Sequence, residues 1–87
     1  MTNQMVLNQE SITQQRIIDL ISWCLHVPSS QIYPYTHLRD DLCLDNIDHL
    51  LLIVALEQQL DVYLSNEEVE SIETVDDARI YFQKYAA

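Results

Sequence analysis

The sequence predicts a small all-α protein, a four-helix bundle with three main helices, one short helix and a long loop between the first two. The 87 residues include no glycine, and tight hairpin turns favour glycine or asparagine at positive φ, which argues against a β-meander. Apolar residues recur at helical spacing, and polar pairs three residues apart open several of these stretches. We expect a flexible segment at residues 1–10 and one domain with a single core over residues 11–87.

The first helix is predicted over residues 12–25, where apolar residues are spaced three and four apart. Ser11 and Gln14 resemble a capping box at its start, and Pro28 prevents it from continuing. Residues 27–45 show no helical period and are predicted to form a loop. Loops longer than about 12–15 residues are uncommon in compact domains unless they are functional.

The second main helix is predicted to begin at Asp45 or Asn46, with Asp45 and Asp48 placing negative charge at the positive end of its dipole. It is apolar on every side, and a small domain cannot surround one of its own helices. One face is therefore predicted to be left for a partner or for self-association, although the same residues could simply belong to the core. This strip comprises Ile47, Leu50, Leu51 and Val54.

Two further capping-box patterns open the remaining helices. Ser65 with Glu68 begins a short third helix that ends near Ser71, and Thr74 with Asp77 begins the fourth. The fourth helix carries apolar residues at helical spacing, namely Val75, Ala78, Tyr81, Phe82 and Tyr85.

The charge of the chain excludes several classes of partner. Four basic side chains stand against fourteen acidic ones, a formal net charge of −10, so the field repels nucleic acid and anionic lipid and attracts basic protein surfaces. The first residues lack the features of a signal peptide, and no apolar run approaches the ~20 residues that span a bilayer. We expect a cytoplasmic protein with two free thiols, no membrane span and no nucleic-acid partner.

Three segments resemble motifs of the acyl carrier protein family: DLCLDNID, ALEQQL and LSNEEVESIETVDDARIYF. The family patterns are an acidic D-L-G-x-D-S-L-D turn, a helix ending in A-L-E-x-x-F, and I-x-x-E-x-x-x-x-I-x-T-V-x-D-A-x-x-Y. The resemblance covers roughly residues 11–85 without an insertion. It implies a four-helix bundle of acyl carrier protein type that serves fatty-acid or polyketide metabolism.

The family's chemistry lies on the serine of D-S-L, which carries a phosphopantetheine arm whose thiol holds acyl groups as thioesters. The matching position here is Asn46. An amide nitrogen has a delocalised lone pair and cannot replace the hydroxyl nucleophile, so no arm is expected. The fold should hardly change, because Asn and Ser are similarly good N-caps. This asparagine has three alternative explanations: a natural non-carrying homologue, an engineered serine replacement or a sequence error. Phosphopantetheine is expected only if the native gene encodes serine at this position.

The resemblance implies a non-enzymatic, non-carrying or regulatory module that docks enzymes of acyl-chain synthesis or transfer through their basic or apolar patches. The alternatives are a genuine carrier whose serine was replaced, and a homodimeric interaction module. No nucleophile elbow or glycine-rich phosphate loop occurs, so no catalytic activity is predicted. The predicted partner-binding residues are Asp45, Ile47, Asp48, Leu50, Leu51, Val54 and Glu57.

Two family glycines are replaced, by Cys43 and by His26. Cys43 is expected to pack under the loop as a free thiol, since nothing basic stands near it to activate it as an acyl acceptor. His49 is expected in a solvated acidic turn, and its spacing from nearby aspartates is not distinctive enough to predict a metal site. The resemblance also implies an apolar cavity for the acyl chain, lined by Leu38, Leu42, Leu52, Leu56, Val69, Ile72, Ala78 and Tyr81.

Overall fold

A computed structural model describes residues 12–86, and it confirms the all-α fold class. Residues 12–86 contain no strand; one isolated bridge pairs His37 with Thr74. The segment predicted to be flexible, residues 1–10, lies outside the described residues. The helices are α1 (Gln14–Leu25), α2 (Leu38–Asp41), α3 (Asn46–Leu60), α4 (Asn66–Ser71) and α5 (Val75–Tyr85).

The first helix begins two residues later than the sequence predicts. Thr13 is its N-cap, and the Thr13 hydroxyl accepts a hydrogen bond of 3.1 Å from the backbone N–H of Arg16. A Thr hydroxyl satisfies one of the orphan N–H groups of a first turn, so the prediction of a Ser11–Gln14 capping box is wrong. Ser11 itself lies outside the described residues.

The stretch predicted as an irregular loop, residues 27–45, contains a 3₁₀ turn at Ser29–Gln31 and the short helix α2. His37 is the N-cap of α2, and its backbone N–H donates to the Asp41 carboxylate at 2.8 Å. A helix of a single turn leaves no repeat in the sequence, because amphipathic periodicity needs at least two turns to be visible.

The middle of this stretch, residues 34–38, is held against residues 73–76, where α5 begins. We call this contact the loop clamp, and it consists of three backbone hydrogen bonds. They run from Leu38 N to Glu73 O at 2.8 Å, from Val75 N to Thr36 O at 3.1 Å and from Asp76 N to Pro34 O at 2.9 Å. The loop is therefore a fixed part of the fold.

The capping predicted for the later helices is confirmed. Asp45 caps α3 and forms a capping box with Asp48, with distances of 2.7 and 3.4 Å. Ser65–Glu68 and Thr74–Asp77 form the boxes of α4 and α5. Asn46 is the first helical residue of α3, so the prediction that it could serve as the cap is wrong.

Within residues 12–86, three residues adopt the left-handed backbone conformation: His26 at φ 58°, Cys43 at φ 58° and Asp61 at φ 54°. His26 and Asp61 terminate α1 and α3, and their backbone N–H groups donate to Ser22 and Glu57 carbonyls. Glycine usually occupies such positions because it lacks a Cβ, yet this chain has none. Two of the three are the positions where the family pattern has glycine.

A single hydrophobic core receives side chains from all five helices, and α1 packs against both α3 and α5. From α3 the core takes Leu52, Ile53 and Leu56. The opposite side of α3 is left at the surface, and that side defines the candidate site.

Candidate functional site

The site is built on the first three turns of α3. The capping box fixes the start of the helix, and Asn46 follows the cap directly and is exposed to solvent. Asp45 and Asp48 are also exposed, so two carboxylates flank the position of Asn46 at the positive end of the helix dipole. This end of α3 presents negative charge to an approaching partner.

The predicted strip on α3 is exposed, and the alternative interpretation as core is wrong. The exposed fractions are 68% for Ile47, 49% for Leu50, 60% for Leu51 and 36% for Val54. These residues are spaced three and four apart and lie on the side of α3 away from Leu52, Ile53 and Leu56. We keep the name exposed strip for these four residues.

Glu57 is the last of the predicted contact residues along α3, three residues after Val54. It lies twelve residues after Asp45 in the sequence, about 18 Å along the axis of a helix. Its carboxylate accepts a 2.8 Å hydrogen bond from the backbone N–H of Leu64 and thereby fastens the connection between α3 and α4. The structure thus brings Asp45, Asp48 and the exposed strip together, and at the far end of the strip it engages the Glu57 carboxylate in a structural hydrogen bond.

A partly open cleft of about 600 Å³ adjoins the exposed strip, between the C-terminal end of α1 and one side of α3. Leu51 belongs to both the strip and the cleft. The lining is mostly apolar and comprises Trp23, Cys24, Leu25, His26, Leu44, Asp48, Leu51, Leu52 and Ala55.

The cleft does not have the lining predicted for an acyl cavity. Of the predicted residues only Leu52 borders it. Four other predicted residues are fully buried in the core and pack with residues of other helices. They are Leu38, Leu56, Ile72 and Ala78.

His49 is a buried residue whose role sequence reasoning missed. Its exposed fraction is 1%, so the prediction of a solvated histidine is wrong. The ring Nε2 lies 2.8 Å from the Ile72 carbonyl oxygen, and the Nδ1 lies 3.4 Å from Nη2 of Arg39. Both contacts suit a neutral ring in which Nε2–H donates to the carbonyl and Nδ1 accepts from the guanidinium. The signal was present, because His49 precedes Leu52 and Ile53 by three and four residues on the buried face.

The surroundings of His49 favour its neutral form. Burial lowers its pKa below the ordinary value of 6.5, the hydrogen bond to Ile72 opposes this shift, Arg39 lowers the pKa further, and Glu70 raises it. Arg39 also lies 4.0 Å from a Glu70 carboxylate oxygen. His49 therefore joins α2, α3 and the end of α4 through one side chain.

The two thiols lie in different environments, and both are free. Cys43 is exposed at the turn before α3, so the prediction that it packs under the loop is wrong. Cys24 lies in the cleft wall, and burial raises the pKa of its thiol, which keeps it protonated at neutral pH. The environment of Cys24 therefore does not activate a thiolate.

The polar groups of the loop are engaged with one another. The His37 ring lies 3.6 Å from an Asp40 oxygen and 3.9 Å from a Glu73 oxygen. Within residues 12–86, no three His, Cys, Asp or Glu side chains are grouped so that they could hold a metal ion. No helix in this part of the chain has the length and hydropathy to cross a membrane.

Comparison with known proteins gives relatives that share most of this chain. No family model matches. The acyl carrier protein of Syntrophobacter fumaroxidans is 39% identical over 74 residues, which are 85% of this chain and 91% of the relative. The acyl carrier protein of Chlorobium phaeobacteroides is 35% identical over 75 residues, 86% of this chain and 96% of that protein.

The solved structures agree with these relatives. The thermally stable acyl carrier protein from Enterococcus faecalis superposes with a TM-score of 0.71 at 26% identity, covering 92% of this chain and all of that one. Sequence relatives and backbone geometry thus lead to the same family. The chain belongs to the acyl carrier protein family.

Proposed function

We propose that this protein is a carrier-like module of acyl-chain metabolism that docks partner enzymes through α3 and bears no phosphopantetheine arm. The single observation that carries the proposal is the amide at position 46, directly after the Asp45 cap of α3. An amide cannot form the phosphodiester that a serine hydroxyl forms. The exposed first turn leaves room for either side chain, so the asparagine removes the chemistry at little cost in stability.

Docking through α3 is supported by the exposed strip and by charge. Contiguous apolar residues at a helix surface are typical of interfaces. Asp45 and Asp48 border the strip, and the whole chain has a net charge of −10, so a basic or apolar patch on an enzyme of fatty-acid or polyketide type fits it. We retain Glu57 as a contact at the far edge, where binding competes with its hydrogen bond to Leu64. Two free thiols fit a cytoplasmic location.

The experiment is an intact-mass measurement of Asn46→Ser after incubation with coenzyme A and a broad-specificity phosphopantetheinyl transferase. The matched controls are the unchanged chain and Asn46→Ala. We expect only the serine variant to gain one phosphopantetheine, because the recognition surface is retained and the nucleophile is restored. A mass gain by the unchanged chain would refute the non-carrying role. No gain by any of the three would show that α3 is no longer a carrier's recognition surface.

A homodimer is the second candidate, because the exposed strip could pair with its copy. Light scattering at high protein concentration distinguishes the homodimer from the docking module, since a monomeric mass excludes the homodimer. A genuine carrier whose serine was replaced is the third, and a serine codon at position 46 of the native gene would establish it.

A further inference from the structure

The cleft between α1 and α3 offers apolar surface that residues 12–86 leave unfilled. Leu52 is buried at its base, while Cys24, Leu25 and Ala55 are half-buried in its walls. Trp23 is 69% exposed at the rim on the α1 side. A large aromatic side chain left this exposed beside a groove is typical of a surface that becomes buried in a complex.

The charge of the cleft restricts what it can hold. Among the residues that the structure describes, Asp48 is the acidic residue in its lining, and no Lys or Arg lines it. The net charge of −10 acts in the same direction. An occupant with carboxylates is repelled, and one with ammonium or guanidinium groups beside its apolar part is attracted.

The cleft is continuous with the exposed strip through Leu51. A body lying along α3 would therefore cover the strip and reach the cleft in one contact. The strip has the spacing of a helix face, which packs well against a second helix whose side chains enter the groove beside it.

We infer that the cleft between α1 and α3 receives a large apolar side chain from a basic amphipathic helix of a partner protein, with a Lys or Arg of that helix facing Asp48. The inference rests on the proposed docking through α3 and extends the contact to α1. Trp23 forms one wall of the insertion site, and Ala55 sets its depth.

The test uses a synthetic amphipathic helical peptide with Leu and Phe on one face and Lys on the other. Binding is followed by calorimetry and by the fluorescence of Trp23, the only tryptophan in the chain. We expect binding that shifts the Trp23 emission. The same peptide with Glu in place of Lys should not bind, because its carboxylates meet Asp48.

Two variants test the insertion. Ala55→Phe fills the cleft and should weaken binding by about tenfold or more, equal to about 1.4 kcal/mol. Trp23→Ala removes the exposed wall, which the fold does not need, and should weaken binding similarly by calorimetry. The matched control is Ile80→Phe on α5, an exposed apolar position that is absent from the cleft lining; it should leave the affinity unchanged.

Failure of the inference differs from failure of the proposed function. If Leu50→Asp and Val54→Asp abolish binding while Ala55→Phe and Trp23→Ala do not, docking through α3 stands and insertion is refuted. If only the cleft variants matter, insertion stands and docking through the exposed strip is refuted. No peptide binding at millimolar concentration overturns the inference. A shift of the Trp23 emission with decanol but not with the peptide also overturns it, because the occupant is then a small apolar molecule. A dimer that Ala55→Phe dissociates overturns it as well, because the occupant is then a second copy of the chain.

Discussion

Replacing Cys43 with glycine should stabilise the protein, because the backbone there is left-handed at φ 58°. That conformation costs an L-residue about 1–2 kcal/mol, and glycine loses about 0.5–1 kcal/mol more than other residues on folding. The Cys43 side chain is exposed, so no packing is lost. The net expectation is a gain of about 0.5–1 kcal/mol in the free energy of unfolding, or about 3–6 °C in Tm for a domain of this size.

The assay is urea and thermal unfolding followed by circular dichroism, with Cys43→Ala as the matched control. Alanine removes the sulfur but keeps the Cβ that causes the steric cost, so its stability should stay close to that of the parent. Asp61→Gly should gain less than Cys43→Gly, because aspartate tolerates this region better than cysteine. Equal stability of Cys43→Gly and Cys43→Ala would refute the reasoning, since the Cβ would then carry no cost.

Three further results are expected. The pKa of His49 is lowered from 6.5, so near and below pH 6.5 the unfolded chain binds more protons than the folded chain, and the free energy of unfolding falls as the pH drops. His49→Gln keeps a donor toward Ile72 and should flatten this part of the pH dependence of stability measured by urea denaturation. An unchanged slope would contradict the prediction. Leu56→Ala, at a fully buried position, should lower the free energy of unfolding by about 2–5 kcal/mol, whereas Leu51→Ala, at an exposed position, should change it by no more than about 0.5 kcal/mol. Equal losses in chemical denaturation would contradict the difference in burial between the two residues. Asp45→Ala removes the cap of α3 and should lower the free energy of unfolding by about 0.5–2 kcal/mol. A thermal melt that coincides with that of the parent would contradict this.

Local chemistry explains which elements could be predicted. The capping boxes that open α4 and α5 each lie within four residues, so the sequence alone reveals them. At α3 the sequence offered Asp45 as one of two caps, and the box with Asp48 emerges only from the structure. The helix α2 has one turn and no period, and its cap is a histidine, a residue that N-cap statistics do not favour. It was therefore hidden in the predicted loop.

The candidate site divides in the same way. Exposure of the strip follows from the number of apolar residues on α3, which exceeds what one small core can bury. The cleft depends on how α1 packs against α3, so no local pattern brings Trp23 next to Leu51. His49 lay at a core spacing, but its polarity suggested solvent, and only the Ile72 carbonyl and Arg39 explain its burial.

The loop clamp has a consequence for the order in which the chain matures during synthesis. Its donors and acceptors come from residues 34–38 and 73–76, so a nascent chain that ends before Glu73 contains α1 to α4 but lacks one side of the loop clamp. The clamp closes only after residues 73–76 have left the ribosome. The turn between the loop clamp and the acidic start of α3 is therefore held by the clamp only in a chain that already includes the first turn of α5.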